Sequence, residues 1–233
     1  MVNLYEDNEI IVVRKPAGIA TQTARLTEKD LVSEIKGYIF ETKHSAKEPY
    51  LGVVHRLDQP VEGILVFAKT PACADKLSKQ LQTGKMEKHY LAVVSGIIEP
   101  GEHILTDYLV KDGRSNTSAV VNSSNKNAKL AKLVYEKMDE SFLNDNPVTL
   151  VGIKLYTGRH HQIRVQMANA GHPILGDQKY GAREDIYKGW LNLCADELTF
   201  VHPITNQFMH FKITPENLFM KQRQDTGEKN EMS

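Results

Sequence analysis

Two cysteines, a single tryptophan and no long apolar run exclude several classes of protein for this 233-residue chain. Cys73 and Cys194 form no CxxC pair and are too few for a zinc site or a disulfide framework, which suits a reducing compartment. No stretch approaches the roughly 18 apolar residues of a membrane helix. The opening Met1-Val-Asn-Leu-Tyr-Glu-Asp also lacks the basic-then-apolar order of a secretory leader. A cytoplasmic protein with no membrane partner is expected. GxxxxGK[ST], GxGxxG after a strand, HExxH and GxSxG are all missing, so kinase, dinucleotide, zincin and α/β-hydrolase chemistry lose their main supports. Surplus charge of either sign is missing as well, since 29 Lys+Arg balance 29 Asp+Glu. Taken alone, that balance argues against nucleic-acid binding, where counterion release favours excess cation.

What is present is ordinary globular material: 41% hydrophobic and 25% charged residues, with no repeat or low-complexity linker. One body over residues 1–220 and a polar, frayed tail over 221–233 are expected. Glu9 to Arg14 reads as a strand closed by the turn Lys15-Pro-Ala-Gly18. A capping-box-like Thr27-Glu-Lys-Asp30 opens a helix whose Leu31, Ile35, Tyr38 and Ile39 share one face. Gly63 to Ala68 is a strand of the fully buried type, and Thr70-Pro71 starts a second helix that Gly84 ends. Further strands are expected at 88–94 and near 103–110, 131–137, 148–156, 197–201 and 207–213, with a helix from Arg159 to Ala170. Strands outnumber helices and most connections are too short for parallel crossovers. The class is therefore α+β, with a mixed, largely antiparallel sheet.

Two segments carry more charge than core building requires. His55-Arg-Leu-Asp58 places a carboxylate on a loop between apolar strands, where it needs a partner. Thr157-Gly-Arg-His-His-Gln-Ile-Arg164 puts Arg159 and Arg164 at the start of a helix, where the helix dipole is already positive and an opposing anion is called for. A structural Asp–Arg bridge between loop and helix would satisfy both. His160 and His161, as adjacent helix positions, should point about 100° apart and so share no metal ion; no metal or cofactor is expected.

These segments resemble the RluA-type pseudouridine synthase family over residues 4–215. His55-Arg-Leu-Asp58 with Gly63 and Ala68-Lys69 resembles the signature around that family's catalytic aspartate. Gly158 to Arg164, with Gly171-His-Pro-Ile-Leu-Gly-Asp177 and Tyr180-Gly181, resembles its second signature, and Lys88-His-Tyr90-Leu-Ala92 the segment bearing its tyrosine. Lys15-Pro-Ala-Gly18 and His202-Pro203 add support. The chain departs from the pattern at Val61-Glu62, where Thr-Ser is usual, and at His160 and Cys194. The S4 RNA-binding domain frequent in the family has no counterpart in the sequence.

The resemblance implies a pseudouridine synthase catalytic fold and the isomerisation of a uridine in structured RNA, ribosomal or transfer, by a monomer that needs no nucleotide cofactor. Asp58 would act at the anomeric carbon as the glycosidic bond breaks. Arg164 would aim it through a charge-assisted, bidentate bond. Tyr90 would stack on the detached uracil or relay the C5 proton; a core aromatic is the plain alternative. His55 or Arg56 would fill the space left by a flipped base or grip flanking phosphates, and Lys15, Lys88, Arg159 and His161 are further RNA contacts. Two rivals remain: a nucleosidase or glycosidase with Glu62 as second carboxylate, and a non-catalytic RNA-binding protein. The charge objection weakens on inspection, because residues 76–90, 111–134 and 154–164 carry net charges of +3, +4 and +3.

Overall fold

A computed structural model describes residues 1–23, 28–43 and 47–219. Two compact units emerge. One comprises Met1–Lys88 with Ala195–Thr214, and the other His89–Cys194 with the stretch from Pro215 onward.

The first unit is built on β1 (Val2–Glu6), β2 (Ile10–Lys15), β4 (Glu62–Ala68) and β10 (Leu193–Val201), adjacent in that order, with β3 (Gly52–Val53) on β4 and β11 (Phe208–Lys212) on β10. Every residue of β4 is buried, as its unbroken apolar run requires of a strand covered on both faces. One face of β2 and β4 puts Ile10, Val12, Ile64 and Val66 into a core with Cys73 and Leu77 of α2 (Pro71–Gln82). Thr70 caps that helix from an extended backbone, accepting the Cys73 amide at 3.3 Å, with Pro71 in the first turn as expected. α1 (Leu31–Lys43) buries Leu31, Ile35 and Ile39. Its cap is Asp30, which accepts the Ser33 amide at 2.8 Å and the Thr23 amide at 2.7 Å. The Thr27 end of the expected capping box lies outside the described residues, as does the 221–233 tail.

The second unit is an antiparallel run of β5 (Glu87–Ser95), β9 (Asn146–Leu155), β8 (Lys129–Leu143), β6 (Glu102–Asp112) and β7 (Thr117–Val121). In β8 the buried Ala131, Leu133 and Tyr135 alternate with outward Leu130, Lys132 and Val134. Ala131 and Leu109 pack with Val165 of α3 (Gln162–Asn169). The sequence did not announce β1 and β7. Both are five residues long and mostly unburied, and β7 is a strand because β6 pairs with it from Tyr108 to Asp112.

Candidate active site

Asp58 opens a tight turn with Gln59 and Pro60 at its corners, its carbonyl accepting the Val61 amide at 3.0 Å. The residues on either side of it are fastened to the 15–21 segment. Leu57 uses both backbone groups on the Thr21 hydroxyl, which donates to its carbonyl at 2.9 Å and accepts its amide at 3.1 Å. The Gln59 carbonyl accepts from the Gly18 amide at 2.9 Å and from Lys15 Nζ at 3.1 Å, while its side-chain amide donates to the Gly18 carbonyl at 3.1 Å. Gly63, at φ +146, follows this turn; a Cβ there would sit 2.5 Å from the Ala195 carbonyl oxygen, so glycine is required.

Three residues expected to touch RNA have different work in this unit. Lys15 is fully buried, and its ammonium donates to the carbonyls of Pro16 (2.9 Å), Ile19 (2.7 Å) and Gln59 (3.1 Å). An ammonium has three N–H donors, and all are engaged, so Lys15 is a strut beneath the turn rather than a phosphate ligand. Burial draws its pKa down to about 8, opposed by the charges of Asp58 and Glu62. His55 Nε2 accepts the Val66 amide at 3.2 Å, splicing the loop onto β4. Desolvation of the ring, then the Lys88 charge, holds its pKa near 3, so it is a neutral acceptor and no cation for a phosphate. Lys88 is itself buried, its pKa lowered to about 8 by loss of water. Arg56 is exposed.

In the second unit Tyr90 lies opposite Ile153, which in turn lies opposite Tyr135, so the three share one sheet face; both tyrosines are 6% exposed. Arg164 on α3 meets the anion that its position demands. Its Nε and Nη2 each reach an oxygen of Asp177 at 2.7 Å, and both side chains are buried. The bidentate mate is thus Asp177, thirteen residues along the chain, so any bond from Arg164 to another carboxylate must come from the far end of the guanidinium. Gly176 lets this happen, because a Cβ there would strike the Trp190 carbonyl oxygen at 2.4 Å.

α3 begins at Gln162, three residues later than expected, because His161 takes the left-handed conformation (φ 52°, ψ 27°). That backbone also corrects the expected splay of the histidine pair: the rings stack with centroids 3.8 Å apart. His161 Nδ1 meets the Tyr180 hydroxyl at 2.8 Å, the same hydroxyl accepts the Ser118 amide at 2.7 Å, and the Arg164 guanidinium lies 5.2 Å from the Tyr180 ring centre. His161 is therefore a buried brace. In the sequence Asp177 and Tyr180 stand within the second signature without an assigned role and Ser118 lies outside it; the unanswered charge of Arg164 was the physical signal that an anion is needed. Arg159 is exposed, with Nε on the Leu130 carbonyl at 2.9 Å. Two of the three basic segments meet here: Lys132 and Lys154 lie 5.2 and 5.7 Å from the centre of the exposed Tyr156 ring, on paired strands β8 and β9. Among the described residues no group of three or more His, Cys, Asp or Glu side chains is placed to hold a metal ion.

The family model for RNA pseudouridylate synthases matches residues 9–169, more than half the chain and across both units. The chain belongs to that family. It is 35% identical over 214 residues to the dual-specificity RNA pseudouridine synthase RluA of Escherichia coli, covering 91% of this chain and 92% of that one. It is 32% identical over 225 residues to the ribosomal large subunit pseudouridine synthase C of Buchnera aphidicola, covering 94% and 68%. The fold matches the human RNA pseudouridylate synthase domain containing 1 protein, with TM-score 0.74, 22% identity and 98% and 95% coverage. An α+β isomerase acting on RNA is what this family membership establishes. No helix among the described residues is long and apolar enough to cross a membrane.

Proposed function

We propose that the chain converts one uridine of a structured RNA to pseudouridine, with Asp58 as the catalytic carboxylate and Tyr90 and Arg164 assisting. The observation that carries this reading is the Asp58 turn, in which Leu57, Gln59 and Val61 are all tied through their backbone atoms while the acid stands at the start of the turn. A carboxylate so fixed meets a developing oxocarbenium ion with little reorganisation, which is where preorganised charge gains most. The N1–C1′ bond breaks, uracil turns, C5 joins C1′, the C5 proton leaves and N1 takes up a proton, so the product is an isomer of the substrate. Residues 1–220 act as one catalytic domain, monomeric and cytoplasmic, and a flipped uridine is the substrate form. Lys132, Lys154, Arg159 and Tyr156 offer RNA a basic and aromatic surface within a neutral protein.

Ribosomal RNA is the favoured substrate, because two relatives at 32% identity are named for the ribosomal large subunit. Hydrolytic glycosidase chemistry is disfavoured, because its second carboxylate, Glu62, is buried and held by Arg14. Pseudouridine mapping of total RNA from cells with and without the gene tests the reading. One ribosomal position lost with the gene is the expected result; an unchanged map would overturn it.

Tyr90→Phe and Tyr90→Leu separate the two roles of the tyrosine. Stacking alone predicts near-native turnover for Phe and a loss of about 10-fold or more for Leu, since base–aromatic stacking is worth about 1–3 kcal/mol. Proton relay predicts that Phe already fails. Full activity of the Leu variant, measured as tritium release from RNA bearing 5-tritiated uridine, would remove both roles.

A further inference from the structure

Glu62 stands where the resembled family carries a small hydroxyl residue, and no step of the chemistry above uses it. It opens β4 directly after the Asp58 turn, is 2% exposed, and its Oε2 lies 3.1 Å from Nη2 of Arg14 on β2. The β2–β4 register sets Arg14 opposite Ile64, so Arg14 and Glu62 are diagonal neighbours on one sheet face, while Lys15 is paired with Gly63 and faces the other way. Val61, between the turn and Glu62, is also buried. Thr21 thus fixes the entry to the turn, Lys15 and Gly18 its middle, and the Arg14–Glu62 pair its exit.

We infer that Glu62 is a positioning residue for Asp58, anchoring the exit of the aspartate turn to β2 through its buried pair with Arg14. Lys15 holds the middle of the turn from the other face of β2, so the Arg14–Glu62 pair is the tie on this face. Loss of the Glu62 carboxylate removes that tie and lets Val61, and with it the Asp58 carbonyl that its amide holds, shift.

This inference rests on Asp58 being the catalytic carboxylate, so its test has one readout tied to activity and one that is not. In this chain, Glu62→Gln should lower kcat about 10-fold with KM within about twofold, and Glu62→Asp should recover part of the loss. Independently, the Gly18 and Val61 amides, which close the turn, should exchange hydrogen about 10-fold faster while amides within β2 and β4 keep native rates. An unchanged kcat, or exchange accelerated equally along β2 and β4, overturns the inference. If Glu62→Gln does not fold, Arg14→Met/Glu62→Leu removes both buried charges together, and must speed exchange at Gly18 and Val61 in the same way. Should the native chain make no pseudouridine in any RNA, the Asp58 reading fails, and the exchange of Gly18 and Val61 decides the anchor alone.

Discussion

Asp58→Asn is expected to yield a folded protein that binds RNA and forms no pseudouridine. The substitution keeps the size of the side chain, and the bonds at Leu57, Gln59 and Val61 run through their own backbone atoms or through Thr21, Lys15 and Gly18, so the turn survives. What disappears is the negative charge that would stabilise or capture the anomeric carbon. Losing a positioned charge or nucleophile typically costs on the order of 10³-fold or more in turnover. Tritium release and RNA retention on a filter, measured on one preparation, check both halves of the expectation. Full activity would overturn the mechanism, and release of free uracil by the native chain would favour the glycosidase instead.

Asp177→Ala is expected to have the largest effect on stability. It leaves the Arg164 guanidinium buried without its carboxylate, a change that typically costs about 3–5 kcal/mol. For a chain of this size each kcal/mol lowers Tm by roughly 2–4 °C, so a fall of about 10 °C is expected. Replacing both partners, Arg164→Met/Asp177→Leu, should recover much of the stability, because the stranded charge goes too. Activity should stay lost in the double variant if Arg164 serves catalysis as well as packing. Thermal unfolding and tritium release on the two variants separate these roles, and a Tm for Asp177→Ala within 2 °C of native would contradict the assigned cost.

Elements with a local signal were legible in the sequence. The Thr70-Pro71 helix start and the apolar run of β4 each arise from interactions a few residues long, and both stand where expected. What escaped depends on distant partners. β7 is a strand because β6 lies beside it, and α3 starts late because His161 adopts a backbone conformation that no neighbouring residue signals. At the site, residue types disclosed which groups carry charge but not how each charge is met. Arg164 called for an anion and found Asp177; Lys15 read as a surface cation and is buried among carbonyls. Burial of a lysine follows from the chain folding over it, which composition alone does not encode.

The division of the chain into units also bears on how it folds during synthesis. The second unit takes most of its residues from His89–Cys194 but waits for the stretch from Pro215 onward, where Leu218 joins Val93, Val148 and Leu175 in one core. The first is discontinuous as well: β4, which leads out of the aspartate turn, has β2 beside it early but must wait for β10 as its other neighbour. At roughly 5–20 residues per second, translation leaves that side of β4 open for about 6–25 s. The aspartate turn is therefore among the last parts of the protein to be locked into place, although it is encoded in the first quarter of the chain.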